Sequence, residues 1–170
     1  QKHFNANFSE EIIFTSGTTH SINIIANGYT DLLTSDDEII VSGMEHHSNI
    51  VPWQMMVEKN HAKLSVIPLK ENGELDLDHF KSIISEKTKI VFLNHVSNAL
   101  GIINPIEEII EISHRNGAVV LIDGAQSSAH FTIDLQKLDV DYFNASAHKL
   151  CGPTGICFLY CKKNLLEKIP

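Results

Sequence analysis

The segment VVLIDGAQSSAHFTIDLQKLDVDYFNASAHKLCGPTG, Val119 to Gly155, carries the clearest structural signal in the chain. It opens with an apolar run rich in β-branched residues, and this run stops at Asp123. A short run of this composition predicts a strand that is buried on both faces of a parallel sheet. Ligands of open α/β sheets bind at the carboxyl ends of the strands, so Asp123 is expected to face a binding crevice.

A second strand is predicted at Val140–Asn144, and it leads directly into Ser146-Ala147-His148-Lys149. Two successive strands therefore end in polar and ionisable side chains. A lysine amine can form a Schiff base with an aldehyde cofactor, and a carboxylate keeps a pyridine nitrogen protonated. Taken singly, Asp123 and Lys149 are more typical of a turn and of an exposed surface charge. Taken together, they favour pyridoxal phosphate chemistry.

The rest of the chain alternates between predicted strands and helices. Further strands are predicted at Ile12–Thr15, Ile39–Ser42, Leu64–Ile67, Ile90–Asn94 and Gly155–Tyr160. Helices are predicted at Thr18–Asn27 with a stop at Gly28, at Asn49–Asn60, at Leu77–Ile84 after a cap at Asp76, and from Pro105 to about Asn116 after a cap at Asn104. This alternation predicts a three-layer α/β fold, with a mostly parallel sheet and helices on both faces.

The last predicted strand differs from the others in its connection. The segment between Lys149 and Gly155 is too short to hold the crossover that joins parallel strands, which takes a dozen or more residues. We therefore expect one antiparallel strand near the end of the chain, and a mixed sheet.

Composition limits the classes of function. The chain has 170 residues, a formal net charge of −8 and 43% hydrophobic residues, which suits one domain and argues against nucleic acid or an anionic membrane as a partner. No apolar run approaches the roughly 18 residues of a membrane span. The three cysteines match neither a zinc-binding pattern nor a secreted disulfide framework, so a reducing cytoplasm is expected. Because the chain begins at Gln1, the sequence leaves open whether a leader segment precedes it.

Ser16-Gly17-Thr18-Thr19 lies between a predicted strand and a predicted helix. Free N–H groups at a helix N-terminus favour an anion, and threonine hydroxyls add hydrogen-bond donors. The segment is therefore either a phosphate cradle or an ordinary threonine cap. It lacks the GxGxxG pattern of a dinucleotide fold, and the adjacent His46 and His47 lack the further ligands of a metal site, so no metal is expected.

Five ordered motifs together resemble the class V aminotransferase family of fold-type I pyridoxal phosphate enzymes, and among them the SUF-type cysteine desulfurases and selenocysteine lyases. The motifs are FTSGTTHSINIIANG (Phe14–Gly28), EHHSNIVPWQ (Glu45–Gln54), HVSNALGIINPI (His95–Ile106), DGAQ (Asp123–Gln126) and the SAHKLCGPTG segment with its strand, Ser146–Tyr160. The resemblance covers nearly the whole chain. It implies the mixed seven-stranded sheet of the large domain, with residues 1–170 as its cofactor-binding core. It also implies that some sheet elements, an N-terminal segment and a C-terminal small domain of the family lie outside these residues.

The resemblance implies a set of site residues. Phosphate would be bound by Thr18, Thr19, Ser146 and His148. The pyridine ring would meet His46 as a stacking and acid/base group, Asp123 at the ring nitrogen, and Asn98 and Gln126 at the phenolic oxygen. Lys149 would carry the Schiff base, and the catalytic residues would be Lys149 and His46. Ser16 and Ala147 depart from the arginine and glycine that are frequent in the family.

The resemblance implies a cysteine desulfurase that converts L-cysteine to L-alanine and an enzyme-bound persulfide for iron–sulfur cluster assembly. It further implies a homodimer and a sulfur-acceptor protein. Cys151, Cys157 and Cys161 do not stand where relatives carry the persulfide cysteine. That cysteine and the substrate-binding arginine are expected beyond Pro170, so the chain alone is expected to be inactive. Open alternatives are a selenocysteine lyase, a kynureninase or an aminotransferase and, in another class, a non-catalytic α/β ligand-binding or interaction fragment.

Overall fold

The computed structural model describes residues 1–169, and its centre is one sheet of seven strands in the order β1-β7-β6-β5-β4-β2-β3. The strands are β1 (Ile12–Thr15), β2 (Glu38–Ser42), β3 (Lys63–Ile67), β4 (Thr88–Asn94), β5 (Val119–Asp123), β6 (Tyr142–Ser146) and β7 (Cys157–Cys161). Strands β2 to β6 pair in parallel, while β7 runs antiparallel to both β6 and β1. The expected mixed sheet with a late antiparallel strand is confirmed.

Helices cover both faces of the sheet. They are α1 (Thr18–Tyr29), α2 (Val51–Asn60), α3 (Leu77–Ile83), α4 (Ile106–Arg115), α5 (Leu135–Leu138) and α6 (Lys163–Leu166). One apolar core lies under α1, α2 and α6, where Trp53 stacks on Phe92 with ring centroids 4.7 Å apart. The other lies under α3, α4 and α5, around Phe80, Ile109 and Leu135. The predicted three-layer α/β architecture is confirmed.

Strand β5 shows why its sequence is apolar throughout. Val119 and Leu121 pack into the core beneath α1 and α2, whereas Val120 and Ile122 pack into the opposite core. A central strand covered on both faces needs apolar side chains at every position, unlike the alternating pattern of a half-exposed strand. Asp123 ends this strand at the sheet's carboxyl edge, which is the edge where ligands of such sheets bind.

Several predicted boundaries were wrong, and tertiary contacts explain two of them. Helix α1 runs through Gly28 to Tyr29, because the small glycine lets Ile169 pack against the helix. Pro105, rather than Asn104, caps α4: the Asn104 amide instead donates to the Asn94 carbonyl oxygen at 2.8 Å. Helix α2 begins at Val51, since Asn49 belongs to a separate 3-10 turn.

Two further corrections concern the sheet. Strand β6 begins at Tyr142, two residues later than predicted, and extends to Ser146. The expectation that part of the seven-stranded sheet falls outside the chain was also wrong, because all seven strands lie within residues 12–161.

A buried ionic cluster links α4 to the sheet at the amino ends of the parallel strands, opposite the edge where Asp123 lies. Asp141 is 5% exposed, and its Oδ2 lies 2.7 Å from His114 Nε2 on α4 and accepts the Val120 N–H at 2.8 Å. Its Oδ1 lies 3.0 Å from Lys162 Nζ. Burial opposes ionisation of Asp141, but His114 and Lys162 outweigh it and lower its pKa. The same hydrogen bond raises the pKa of His114.

We expect Asp141→Asn to lower the free energy of unfolding by about 3 kcal/mol, because one member of a buried pair is lost. The lowered pKa of Asp141 contributes stability above its unfolded value of about 4, and the raised pKa of His114 contributes stability below its unfolded value of about 6.5. The difference from wild type should therefore be largest between these values, and should shrink as the pH falls through the folded pKa of Asp141 or rises through that of His114. Urea unfolding across pH measures it, with the exposed Asp36→Asn as control; a pH-independent difference would contradict the assignment.

Candidate active site

A cavity of about 490 Å³ opens at the carboxyl ends of the central strands, beside the N-terminus of α1. The structure brings all nine of the site residues named from the sequence to its wall. They are Thr18, Thr19, His46, Asn98, Asp123, Gln126, Ser146, His148 and Lys149. These residues come from five separate segments of the chain, so the fold, and not local sequence, assembles the site.

The first turn of α1 forms one wall of this cavity. The Thr18 hydroxyl lies 2.7 Å from the Ser146 hydroxyl, which joins the start of α1 to the end of β6. Behind it, Ser21 and Thr15 share a buried hydrogen bond of 2.8 Å. A Cβ atom added to Gly17 would meet no other atom within 4 Å, so space is open above the helix N-terminus. Free N–H groups, hydroxyls and open space together suit a phosphate group.

Asp123 lies at the floor of the cavity and is 8% exposed. Its Oδ1 accepts the Ala125 N–H at 2.9 Å, and within residues 1–169 its Oδ2 makes no hydrogen bond. Burial raises the pKa of Asp123, and the Ala125 N–H and the positive charges of Lys149 and His46 partly oppose that rise. A buried carboxylate with one hydrogen bond is under-satisfied, so a cationic N–H group would bind here favourably.

Lys149 lies in a short 3-10 turn, Ala147–Leu150, that follows β6 without a break. The Gly152 N–H donates to the Ala147 carbonyl at 2.8 Å and closes this turn, while Cys151 adopts a left-handed backbone with φ of 62°. The half-buried Lys149 side chain lines the cavity with Asp123, whereas His148 is exposed at its rim. The end of β6 and the tight turn after it therefore place an amine and an imidazole near Asp123, at the floor of the cavity.

His46 stands on the wall formed by the segment after β2. Its Nδ1 accepts the Ser48 N–H at 3.3 Å and lies 2.8 Å from the Ser48 hydroxyl. In its neutral form the ring would therefore carry its hydrogen on Nε2. His47 packs edge-on to His46 at 6.1 Å between centroids and does not line the cavity. Asn98 and Gln126 enter from the loops that follow β4 and β5.

Several polar residues at the site were missed from the sequence: Ser48 and Thr154, which line the cavity, and also Asn94 and Glu45. Asn94 ends β4 directly beside Asp123, and it lines the cavity. Glu45 lies behind the wall, where burial raises its pKa to about 7. The position of Asn94 at a strand end was a usable signal, the same one that identified Asp123. Glu45 gave no such signal, because its partners lie on three different elements.

None of the three cysteines lines the cavity, and neither does the one arginine, although Cys157 Sγ lies behind the wall, 3.7 Å from the Thr18 hydroxyl. Cys151 is exposed, while Cys157 and Cys161 are buried in β7, as expected of small apolar side chains in a strand. Arg115 ends α4 and pairs with Glu111 at 3.0 Å, at the amino edge of the sheet. In the part of the chain from residue 1 to 169, no group of three or more metal-ligating side chains converges, and no helix is long and apolar enough to cross a membrane.

Comparisons with known proteins find similar chains. The chain is 51% identical to a probable cysteine desulfurase of Halalkalibacterium halodurans and 47% identical to a cysteine desulfurase of Cronobacter sakazakii, and it spans 42% and 41% of their lengths. The alignments cover 99% and 98% of this chain. The chain thus spans about two fifths of the length of these curated relatives.

Solved structures also match nearly all of this chain with less than half of their own length. The cysteine desulfurase CsdA from Escherichia coli superimposes with a TM-score of 0.95 at 41% identity, covering 99% of this chain and 42% of that one. A structure of SspA in complex with cysteine gives a TM-score of 0.89 at 25% identity, covering 99% of this chain and 48% of that one.

Fold and cavity together define a three-layer α/β protein with a polar ligand site at the carboxyl edge of a mixed sheet. The family model for aminotransferase class V matches residues 1–170. The chain belongs to the aminotransferase class V family. Class V aminotransferases are pyridoxal phosphate enzymes as a family, and membership agrees with the resemblance noted in the sequence.

Proposed function

We propose that the protein is a pyridoxal phosphate-dependent cysteine desulfurase, and that this chain is its cofactor-binding core. The observation that carries the proposal is Asp123, a buried carboxylate with a single protein hydrogen bond, which faces a cavity that also holds Lys149 and a helix N-terminus. Few ligands match a carboxylate, an amine and an anion-binding helix N-terminus in one cavity. Pyridoxal phosphate has all three complementary groups: a ring nitrogen, an aldehyde and a phosphate.

The donor set fits this cofactor. Thr18, Thr19 and Ser146 offer hydroxyls, and the first turn of α1 offers N–H groups, for the phosphate. Lys149 offers the only amine among the described cavity-lining residues. Asn98 and Gln126 offer amide donors for the phenolic oxygen.

Each of these residues has a defined task in the proposal. When bound, pyridoxal phosphate supplies an electron-accepting ring. The ionised Asp123 would hold a proton at the ring nitrogen, because its free oxygen can accept that N–H group. Lys149 attaches the cofactor and, once released, moves protons at the substrate carbon. His46, with its Nε2 hydrogen directed by Ser48, is the second acid or base on the wall.

The proposed substrate is L-cysteine, converted to L-alanine while its sulfur passes to an enzyme thiolate as a persulfide. Support comes from the names of the relatives and from the SspA structure with cysteine, a protein of the same fold. The persulfide would then serve iron–sulfur cluster assembly through a sulfur-acceptor protein. Selenocysteine is the alternative substrate, which a selenocysteine lyase of the same family would prefer.

A homodimer in the cytoplasm completes the proposal. The dimer rests on the family resemblance, and sedimentation of the full-length protein measures it: a monomer that persists at all concentrations would contradict it. The cytoplasm rests on the cysteine pattern, since the three cysteines are unpaired in the structure.

We expect the full-length protein to release alanine and sulfide from cysteine with added reductant, and the 170-residue chain alone to stay near the rate of free pyridoxal phosphate. None of the three cysteines lies on the described cavity wall, and Arg115 lies at the opposite edge, so this chain offers neither nucleophile nor substrate anchor. Losing both costs several kcal/mol each in transition-state stabilisation.

A Cys151→Ala variant of the 170-residue chain is the control. Robust turnover by the chain that this variant abolishes would overturn both the expected inactivity and the placing of the nucleophile elsewhere. Parallel assays with selenocysteine decide between the two substrates. A full-length protein without a visible absorption band after addition of pyridoxal phosphate would instead favour the non-catalytic alternative.

A further inference from the structure

Glu45 connects three elements behind the cavity wall that carries His46. Its Oε1 accepts the Asn94 backbone N–H at 2.8 Å, at the end of β4. The same oxygen accepts the hydroxyl hydrogen of Ser42, at the end of β2. Its Oε2 accepts the Asn49 side-chain N–H at 2.7 Å, just before α2. One carboxylate thus receives three donors from three segments.

The two ends of this network reach the groups that would bind the cofactor. His46 follows Glu45 in the chain, so the network fixes the backbone from which the His46 ring projects. Asn94 is the direct neighbour of Asp123 in the β4–β5 register. Its side chain donates to the Met44 carbonyl at 2.9 Å, which ties the same two segments together a second time.

We propose that Glu45 is a positioning residue of the site, whose ionised carboxylate holds the His46 segment against the end of β4 and thereby sets His46 and Asp123 for the cofactor. The inference rests on the proposed pyridoxal phosphate site and deepens it. Glu45 does not line the cavity itself, so it acts through these two neighbours.

The neighbours of Glu45 favour its ionised form. The N–H groups of Asn49 and Asn94 can only donate, and they therefore stabilise the carboxylate, whereas the Ser42 hydroxyl can donate or accept. Burial raises the pKa of Glu45 to about 7, the three donors oppose that rise, and the charge of Asp123 on β5 adds to it. The groups that donate to it from β2, β4 and the 3-10 turn before α2 are neutral, which leaves Asp123 as the charge that raises its pKa.

Glutamine at this position would leave the network unsatisfied. An amide nitrogen in place of Oε2 would face the Asn49 side-chain N–H, donor against donor. Rotating the Asn49 amide does not solve the conflict, because its Oδ1 accepts the Trp53 indole N–H at 3.4 Å. Aspartate at position 49 would solve it, since a carboxylate there accepts from both the new glutamine and Trp53.

The test therefore compares Glu45→Gln, the double variant Glu45→Gln with Asn49→Asp, and the exposed Glu58→Gln as control, all in the full-length protein. The measurement is the dissociation constant of pyridoxal phosphate, from absorbance titration at several pH values, with thermal unfolding recorded alongside. Glu45→Gln should weaken cofactor binding about tenfold at about pH 8, because a charge-assisted hydrogen bond is lost. The double variant should recover most of that loss, and Glu58→Gln should match wild type.

The pH dependence separates positioning from a general structural role. Below the pKa of Glu45, wild type itself carries a neutral carboxyl group, so the ratio of the two dissociation constants should fall towards one as the pH drops through about 7. Unchanged binding in Glu45→Gln, or a loss that is constant with pH and unrecovered in the double variant, would overturn the proposal. A wild-type protein that binds no pyridoxal phosphate would overturn the proposed function, and the Glu45 inference with it.

Discussion

Lys149→Ala is expected to abolish covalent attachment of pyridoxal phosphate and to reduce cysteine turnover by at least about three orders of magnitude, since nucleophile and proton carrier are lost together. Lys149 is the only described amine on the cavity wall, and it lies in a tight turn directly after β6. No other lysine among the described residues lines the cavity. The fold should survive, because the half-buried side chain makes no hydrogen bond to another described residue.

The measurement is mass spectrometry of peptides after borohydride reduction of the full-length protein with its cofactor. Wild type should carry the pyridoxyl adduct on Lys149, and the variant should carry none. Lys168→Ala, at an exposed lysine outside the cavity, should keep both adduct and turnover. An adduct found mainly on another lysine of the wild-type protein would refute the assignment.

Asp123→Asn should leave the adduct in place and still cut turnover by several orders of magnitude. The amide oxygen can keep the 2.9 Å hydrogen bond from the Ala125 N–H, so the floor of the cavity should hold its shape. An amide, however, cannot hold a proton on the ring nitrogen as a carboxylate does, and each tenfold loss in rate corresponds to about 1.4 kcal/mol of lost transition-state stabilisation.

Steady-state assays of alanine release measure this effect in the full-length protein. The matched control is Asp78→Asn, at an exposed aspartate on α3, which should behave as wild type. Turnover near the wild-type rate in Asp123→Asn would show that Asp123 does not contact the ring nitrogen.

The architecture was predictable because its signals are local. The apolar run of β5 needed only its own composition to indicate a buried central strand, and the short connection after Lys149 needed only its length to indicate an antiparallel β7. The errors at Gly28 and Asn104 arose where a distant residue decided the outcome. Gly28 is packed against Ile169, and the Asn104 amide binds Asn94 instead of capping its own helix.

The residues of the candidate site likewise fall into those that local sequence could place and those that it could not. Side chains at strand ends, such as Asp123 and Ser146, could be placed from the sequence because parallel strands end at a common edge. Glu45 could not, because its role depends on the Asn94 N–H, 49 positions further along the chain. A glutamate in a loop has the composition of an exposed charge until the fold supplies its partners.

The pairing of β1 with β7 constrains when the site can form during synthesis. Ile12 faces Tyr160, so the first strand has no partner on the sheet until nearly all of this chain has left the ribosome. Thr18 and Ser146, which meet at the phosphate cradle, are 128 positions apart. At about 5–20 residues per second, roughly 6 to 26 seconds of translation separate them. A nascent chain arrested before β7 emerges should therefore not capture the cofactor, whereas one arrested well beyond it should, and this difference would show that cofactor loading waits for β7.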